Sequence, residues 1–308
     1  MRCTVLAVCF AALTACTSEA PCPAAHVQEI APGVFVREGD HAPLFEASDI
    51  ATVGFVIGER SVAVIDSGGS PAEGRALLCA IRQQTELAIT HVINTHVHPD
   101  HVFGNRAFIE HNPDVQIVGH RNLTRATGLR SASYVQNANA VRPTPWEVED
   151  VVVPPTIAVD EELAIDLGGR TLLVRAHRTA HTDADLSVWD AETRTRFTGD
   201  LLFIGHLPAL DGSINGWIDV LERWAAEAPP AHVVPGHGPA TGPATEALAA
   251  NLAYLTAVRK AVRAAVAAGD SLEEAQASAA AQALADWVLV EEYHERNVAA
   301  AFVELEWE

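Results

Sequence analysis

Four side chains of the kinds that bind metal ions stand within six residues of one another: His96, His98, Asp100 and His101. Alternate residues of an extended segment point the same way, so His96 and His98 can share one ion. The other two follow the bend at Pro99 and can serve a second ion. Zn²⁺ accepts imidazole and carboxylate ligands, and the lack of a matching cysteine set excludes a structural zinc knuckle. The competing interpretation, a solvated polar loop, leaves this close spacing unexplained.

Three further candidate ligands follow later strands of the sequence, each beside a glycine or another small residue: His181, Asp200 and His237. Taken singly, a histidine after a strand is more often a hydrogen-bonded structural residue. The order of these three after the first motif makes a shared metal centre the better interpretation.

Composition limits the classes of protein that the chain can belong to. Its 308 residues are 49% hydrophobic and 19% charged, which excludes a disordered chain. The formal net charge of −20 disfavours a nucleic-acid partner, because an acidic surface repels phosphates. No apolar run reaches the roughly 18 residues of a transmembrane helix. The composition therefore predicts a folded protein without a nucleic-acid partner.

The N-terminus reads as an export signal over residues 1–15, followed by a tether over residues 16–26. The ending Leu-Thr-Ala-Cys resembles a bacterial lipobox, in which Cys16 is lipidated, and the alternative is an ordinary cleaved signal. We therefore expect a periplasmic protein anchored to the outer membrane through Cys16. An oxidising compartment permits a disulfide between Cys22 and Cys79. The sequence leaves that pairing open, because Cys79 also suits the core of a helix.

Strand and helix patterns alternate through the body of the chain. The spacing predicts a helix over residues 71–84 and a long surface loop over 131–156, where the apolar period is lost and four prolines occur. From residue 243 onward the chain is alanine-rich and helical, with a capping box formed by Ser271 and Glu274. Two β-rich halves, each followed by helices, predict an α/β sandwich over residues 27–242 with a C-terminal helical extension over 243–308.

The ordered set His-x-His-x-Asp-His, then His, Asp and His, resembles the metallo-β-lactamase superfamily over about residues 33–240. The resemblance implies an αββα sandwich with additional C-terminal helices and a centre of two zinc ions. It places His96, His98 and His181 on the first ion. It places Asp100, His101 and His237 on the second. Asp200 would bridge both ions, which favours the hydrolase branch over true β-lactamases.

Two further aspartates are predicted to support the ligands. Asp66 matches the family's Asp-x-Gly strand end and would orient the histidines of the first motif, although a turn-capping role is the alternative. Asp185 would likewise support His181. The sequence leaves the roles of two other residues undecided. His206 is expected at the surface rather than near the pocket, and Phe45 is either a substrate lid or a packing residue.

The resemblance also implies a mechanism. Two zinc ions that share a water lower its pKa toward roughly 7, and the resulting hydroxide attacks a small ester, thioester, lactone or lactam. Asp100 would relay a proton to the leaving group. The stretches 41–46, 199–203, 296–298 and 304–306 are similar to the quinoprotein relay system zinc metallohydrolases. That similarity implies an exported protein linked to a quinoprotein dehydrogenase.

One alternative is a non-hydrolytic metal protein, either an iron-dependent sulfur dioxygenase or a redox-associated partner. Asp200 and the complete second ligand set favour the hydrolase, since sulfur dioxygenases use one iron. β-Lactamase activity is less favoured, because the single lysine, Lys260, stands far from the motifs, although Arg178 offers a substitute. The substrate, the metal loaded in the cell and the oligomeric state are not defined by the sequence.

Overall fold

The strands form two sheets in a computed structural model that describes residues 22–44, 49–240, 242, 244–280, 283–285 and 287–308. The predictions for Cys16 and Phe45 lie outside the described residues. The first sheet has seven strands in chain order, antiparallel from β1 to β4 and parallel from β4 to β7. Its strands are β1 (Gln28–Ala31), β2 (Val34–Arg37), β3 (Val53–Ile57), β4 (Ser61–Ile65), β5 (Ala88–Ile93), β6 (Gln116–His120) and β7 (Ile157–Val159).

The second sheet has five strands in the order β12-β11-β10-β9-β8. Its neighbours are antiparallel except β11 and β12, which are parallel. Its strands are β8 (Glu162–Asp166), β9 (Thr171–Ala176), β10 (Leu186–Asp190), β11 (Thr195–Phe203) and β12 (His232–His237).

Helices separate and cover these strands. Those of the first half are α1 (Pro71–Gln84), α2 (Pro99–Val102), α3 (Asn105–His111), α4 (Leu123–Ala140) and α5 (Val148–Val151). Those of the second half are α6 (Ile214–Ala226), α7 (Thr245–Ala268), α8 (Leu272–Ser278) and α9 (Val290–Leu305). None of the helices in the described part of the chain has the length and hydropathy to cross a membrane.

The core consists of three apolar layers. Val34, Ile93 and Val188 belong to the layer between the two sheets. The outer face of the first sheet packs against α1 and α3, and that of the second sheet packs against α6, α7 and α9. Every residue of β4 is buried, because both faces of this strand are covered. The αββα sandwich with C-terminal helices is therefore confirmed.

Local sequence signals explain most of the elements. Ser70 accepts a hydrogen bond from the backbone N–H of Glu73, and Pro71 begins the helix, so α1 starts where the sequence predicts. The predicted capping box is present, because Ser271 and Glu274 each accept a hydrogen bond from the other's backbone N–H. Short-range side-chain chemistry thus sets both helix starts.

The loop predicted over residues 131–156 is wrong in part, because α4 continues to Ala140 and α5 lies farther on. The buried face of α4 uses small residues such as Ala126 and Ser131, while Leu129 is 68% exposed. A helix with that pattern has no apolar period, and its alanines supply the helix propensity instead.

A disulfide joins Cys22 to Cys79 of α1, with the two Cα atoms 5.9 Å apart. The backbone N–H of Ala25 also donates to the carbonyl of Ala76 in the same helix, at 2.9 Å. The described end of the predicted tether therefore lies against α1. The structure thus contains the pairing that the sequence left open.

Candidate metal centre

The seven predicted ligands lie at the ends of strands from both sheets. His96 and His98 follow β5, and Asp100 and His101 belong to the short helix α2. The other three come from the second sheet: His181 follows β9, Asp200 lies within β11, and His237 ends β12. Because the sheets pack face to face, these strand ends meet at one edge of the sandwich.

The structure brings the seven side chains together in two groups. The first ligand group is His96, His98 and His181, with Asp200 beside it, and the second is Asp100, His101 and His237. Ligand atoms within each group lie within 4.8 Å of one another. Asp200 lies between the groups, with Oδ1 3.1 Å from Nε2 of His101 and Oδ2 3.4 Å from Nε2 of His181. The placement matches the division that the resemblance implies.

Each histidine has one ring nitrogen held by a partner outside the centre. In the first group His96 Nδ1 bonds Thr95 Oγ1 (3.0 Å), His98 Nε2 bonds Asp211 Oδ2 (3.2 Å), and His181 Nδ1 bonds the Ala209 carbonyl (2.6 Å). In the second group His101 Nδ1 bonds Asp66 Oδ2 (2.8 Å) and His237 Nδ1 bonds the Ile50 carbonyl (3.0 Å). These acceptors fix the tautomers and leave the opposite nitrogens as lone pairs facing the centre.

The facing nitrogens need a cation. His98 Nδ1 and His181 Nε2 lie 3.1 Å apart, although each ring already donates its proton outward. Among the described residues, His96 Nε2, His101 Nε2 and Asp200 Oδ1 are buried without a hydrogen-bond partner. Buried lone pairs in such contact are costly unless a proton or a metal ion lies between them. Imidazole and carboxylate donors suit Zn²⁺, so the residues present fit that ion.

The pKa shifts of the buried carboxylates and histidines also indicate that positive charge is favoured in this centre. Burial raises the pKa of the Asp200 carboxyl, but His237 and His101 outweigh burial and hold it well below its usual value. Burial disfavours protonated His101 and His237, yet Asp200 and Asp100 raise the pKa of His101 well above its usual value and that of His237 to about 9. The carboxylates and the histidines of the second group thus favour one another's charged forms, so positive charge is favoured beside Asp100 and Asp200.

Two glycines make room for Asp200. A Cβ at Gly236 would lie 1.9 Å from Asp200 Oδ1. Gly199 has φ of +50°, and a Cβ there would lie 2.6 Å from the side chain of Thr95. Small residues beside Asp200 and His237 are therefore required by close packing around the centre.

Asp66 is buried at the end of β4 and contacts the histidine motif directly. Its carboxylate accepts hydrogen bonds from Thr95 N (2.8 Å), Thr95 Oγ1 (2.7 Å) and His101 Nδ1 (2.8 Å). Asp185 does not bond His181 itself but the residue that follows it. Its carboxylate accepts hydrogen bonds from Thr182 N and from Thr182 Oγ1 (2.6 Å). Burial raises the pKa of Asp185 to about 8.

Two residues beside the first ligand group escaped the sequence interpretation. Asp211 bonds His98, and Tyr134 of α4 places its ring edge-on to that of His98, with centroids 6.1 Å apart. Burial raises the pKa of the Tyr134 phenol above its usual value, so the phenol keeps its proton. A single aspartate in a loop and a tyrosine in a helix without period carry no sequence signal for these positions.

The expectation that His206 is a surface residue is wrong. Its side chain is 1% exposed and contacts the ring of His237, with centroids 4.9 Å apart, and that of Tyr293 of α9. Burial lowers the pKa of His206 to about 3. Its burial results from the return of α9 over this loop, which local sequence does not indicate.

Asp66 and Asp211 offer a pair of substitutions with different main targets, because Asp66 bonds His101 of the second ligand group directly and reaches the first group only through Thr95, whereas Asp211 bonds His98 of the first group. Asp66→Asn should weaken the second ion about 10–100-fold, and Asp211→Asn should weaken the first by a similar factor. Asparagine suits the left-handed backbone of Asp66, whose φ is +56°. Zinc competition titration of both variants measures the two affinities. Equal losses at both sites in each variant would contradict separate support of the two groups.

The chain is similar to known proteins in sequence and in structure. The sequence model of the metallo-beta-lactamase superfamily matches residues 49–267. A metallo-beta-lactamase from Pontibacter korlensis is similar in structure with a TM-score of 0.60 and 19% identity, over 75% of this chain and 98% of its own. No curated protein matches the chain in sequence.

Two further solved structures cover more of the chain. A beta-lactamase domain protein from Burkholderia ambifaria has a TM-score of 0.68 and 19% identity, over 94% of this chain and 90% of its own. The stereoselective inverting sec-alkylsulfatase Pisa1 from Pseudomonas sp. has a TM-score of 0.67 and 16% identity, over 91% of this chain. The match spans only 50% of that sulfatase. At these identities the likeness shows a shared fold.

Proposed function

Because the chain belongs to the metallo-β-lactamase superfamily, we propose that it is a hydrolase that holds two zinc ions and cleaves a small ester, thioester, lactone or lactam. The observation that carries the proposal is the convergence of two ligand groups on Asp200. Each histidine is fixed from outside, and buried lone pairs face one another across the centre. Outer partners of this kind orient histidine ring nitrogens toward a metal ion.

The ligands of the two ions follow from these contacts. His96, His98 and His181 would hold the first ion, Asp100, His101 and His237 would hold the second, and Asp200 would contact both. When bound, zinc acidifies water and polarises the bond to be cleaved.

Asp100 is the candidate for proton transfer. Its Oδ2 lies 3.3 Å from Nε2 of both His101 and His237, and these histidines hold its pKa well below the usual value despite burial. An ionised carboxylate at this position can accept a proton from the attacking water and give it to the leaving group.

Two tyrosines flank the centre and are candidates for orienting the substrate. The Tyr134 phenol lies on the side of His98, and Tyr293 lies on the side of His206 and His237. Burial raises the pKa of Tyr293 to about 12, so both phenols stay neutral at physiological pH. A neutral phenol can donate a hydrogen bond to a carbonyl oxygen of the substrate.

Elemental analysis of the purified mature protein, together with a substrate screen, tests the proposal. The panel contains chromogenic esters, thioesters, lactones and lactams, and a secondary alkyl sulfate to test the chemistry named for Pisa1. We expect two zinc ions per chain and hydrolysis of at least one carbonyl substrate. One iron per chain with oxygen consumption on a persulfide would replace the hydrolase by the sulfur dioxygenase alternative.

We further propose that the protein is exported, is anchored to the outer membrane through a lipid on Cys16 and serves a quinoprotein oxidation system. The disulfide between Cys22 and Cys79 supports an oxidising compartment. Cys16→Ser should release the protein into the soluble periplasm or leave it unprocessed in the inner membrane. Fractionation and mass measurement distinguish these outcomes. A Cys16→Ser protein of mature length that stays with the outer membrane would contradict lipidation.

A further inference from the structure

The loop between β11 and α6 supplies outer partners to the first ligand group. In the last part of this loop, residues 207–213, the carbonyl of Ala209 accepts from His181 Nδ1 at 2.6 Å, and Asp211 bonds His98 Nε2 at 3.2 Å. The backbone is joined as well, because Asp211 N donates to the His181 carbonyl at 2.9 Å. The orientation of two of the three histidines therefore depends on where the 207–213 loop lies.

Asn297 of α9 fixes the two residues on either side of Ala209. Its Oδ1 accepts from Leu210 N at 2.8 Å, and its Nδ2 donates to the Pro208 carbonyl at 2.5 Å. The same Nδ2 donates to Tyr254 Oη of α7 at 2.8 Å. The side chain is 1% exposed, so water does not replace these bonds. The Asn297 side chain therefore bonds the backbone on both sides of Ala209, whose carbonyl bonds His181.

The far end of the loop is held by the same helix. Glu304 of α9 accepts from Ser213 Oγ at 2.8 Å and from Ile214 N at 2.7 Å, at the first turn of α6. A carboxylate at a helix start is stabilised by the unpaired N–H groups there. Glu304 fixes the point where the loop enters α6, while the peptides next to Ala209 depend on Asn297.

We propose that Asn297 is a positioning residue for the first ligand group and sets the zinc affinity of that group through the Ala209 carbonyl. A side-chain amide can both accept and donate a hydrogen bond, and that of Asn297 accepts from Leu210 N and donates to the Pro208 carbonyl. Without it, the peptides on either side of Ala209 lose their hydrogen bonds to α9, and the Ala209 carbonyl holds the orientation and tautomer of the His181 ring less firmly. The inference rests on the proposed function, because it requires zinc at this centre.

His294 provides a matched control on the same helix. It is buried to a similar degree, and its Nδ1 bonds Tyr254 Oη at 3.1 Å, the hydroxyl that Asn297 also contacts. Its Nε2, however, bonds the Ala279 carbonyl near α8, and no described contact joins it to the 207–213 loop. Loss of His294 therefore loosens the packing of α9 without releasing Ala209.

The experiment compares the full-length mature protein with its Asn297→Ala and His294→Ala variants. Competition titration with a chromophoric chelator measures both zinc affinities, and the electronic spectrum of the Co²⁺-loaded protein reports ligand geometry. We expect Asn297→Ala to weaken one ion about 10–100-fold and to alter the Co²⁺ spectrum, as removal of an outer partner does elsewhere. The other ion and both ions of His294→Ala should keep wild-type affinity.

Equal losses in the two variants, or none in Asn297→Ala, would overturn the positioning role. If Asn297→Ala does not fold, Asn297→Ser serves instead, because a hydroxyl can bond Leu210 or Pro208 but not both. It should give a smaller loss at the same ion, and wild-type affinity in a folded Asn297→Ser would overturn the role. A wild-type protein that binds no zinc would contradict the proposed function itself, whereas tight zinc in every variant contradicts only the inference.

Discussion

Asp200→Ala is expected to lose the second zinc ion before the first and to lower hydrolysis by at least about 100-fold. The carboxylate lies between both ligand groups, with Oδ1 3.1 Å from His101 Nε2 of the second group and Oδ2 3.4 Å from His181 Nε2 of the first. Its negative charge offsets part of the +4 charge of two ions. Without it each ion keeps three ligands, the repulsion between the two ions is no longer offset, and we expect the second to be the ion that leaves. Zinc per chain and hydrolysis of the best substrate are the measurements.

Asp190→Ala is the matched control for this substitution. Asp190 is also a fully buried carboxylate of the second sheet, but it pairs with Arg170 at 2.6 Å, away from the metal centre. We expect Asp190→Ala to lower stability and to keep two ions per chain. Two ions with full activity in Asp200→Ala, or one tightly held ion in the wild type, would refute the dinuclear centre.

Removal of zinc should lower the free energy of unfolding by several kcal/mol. A ligand that binds only the folded state stabilises it by about 2.7 kcal/mol when its free concentration is 100-fold above Kd, and two ions contribute separately. The candidate ligands join strand ends of both sheets, so unfolding would release any ions that they bind. Denaturant unfolding with buffered zinc and with excess chelator measures the difference.

The Asp200→Ala variant also tests the stabilisation of the folded protein by zinc. If it retains one ion, its zinc-dependent stabilisation should fall to about half of the wild-type value. Equal unfolding midpoints for wild type with and without chelator would contradict binding of zinc to the folded protein. A shift as large in Asp200→Ala as in the wild type would contradict loss of the second ion.

The sequence allowed prediction of the sandwich, because it rests on local signals and on apolar runs. The cap at Ser70 and the fully buried run of β4 are readable from neighbouring residues. Helix α4 was missed because alanine and serine fill much of its buried face, so the apolar period on which sequence interpretation depends is weak. Where a helix has no clear apolar period, its length is set by packing against the rest of the protein and by the helix propensity of its residues.

The ligand-bearing motifs were readable, since metal ligands must be particular residue types at short spacing. Their outer partners were less so. Asp66 was predicted from a strand-end motif, but the partners of His98 and His181 are a loop aspartate and a backbone carbonyl. A carbonyl has no sequence signature at all. Long-range approach also buries His206, whose Phe203 and Tyr293 neighbours come from different elements.

Helix α9 is synthesised after all seven candidate ligands, so the centre is completed late. All seven ligands lie between residues 96 and 237, yet the amide that fixes the Ala209 carbonyl belongs to residue 297. During synthesis from the N-terminus, the ligands emerge well before α9 exists. A nascent or truncated chain can collect its ligands while the His181 ring is still free to turn. If the chain binds zinc as proposed, tight binding at the first ligand group is therefore complete only after α9 has packed against the 207–213 loop.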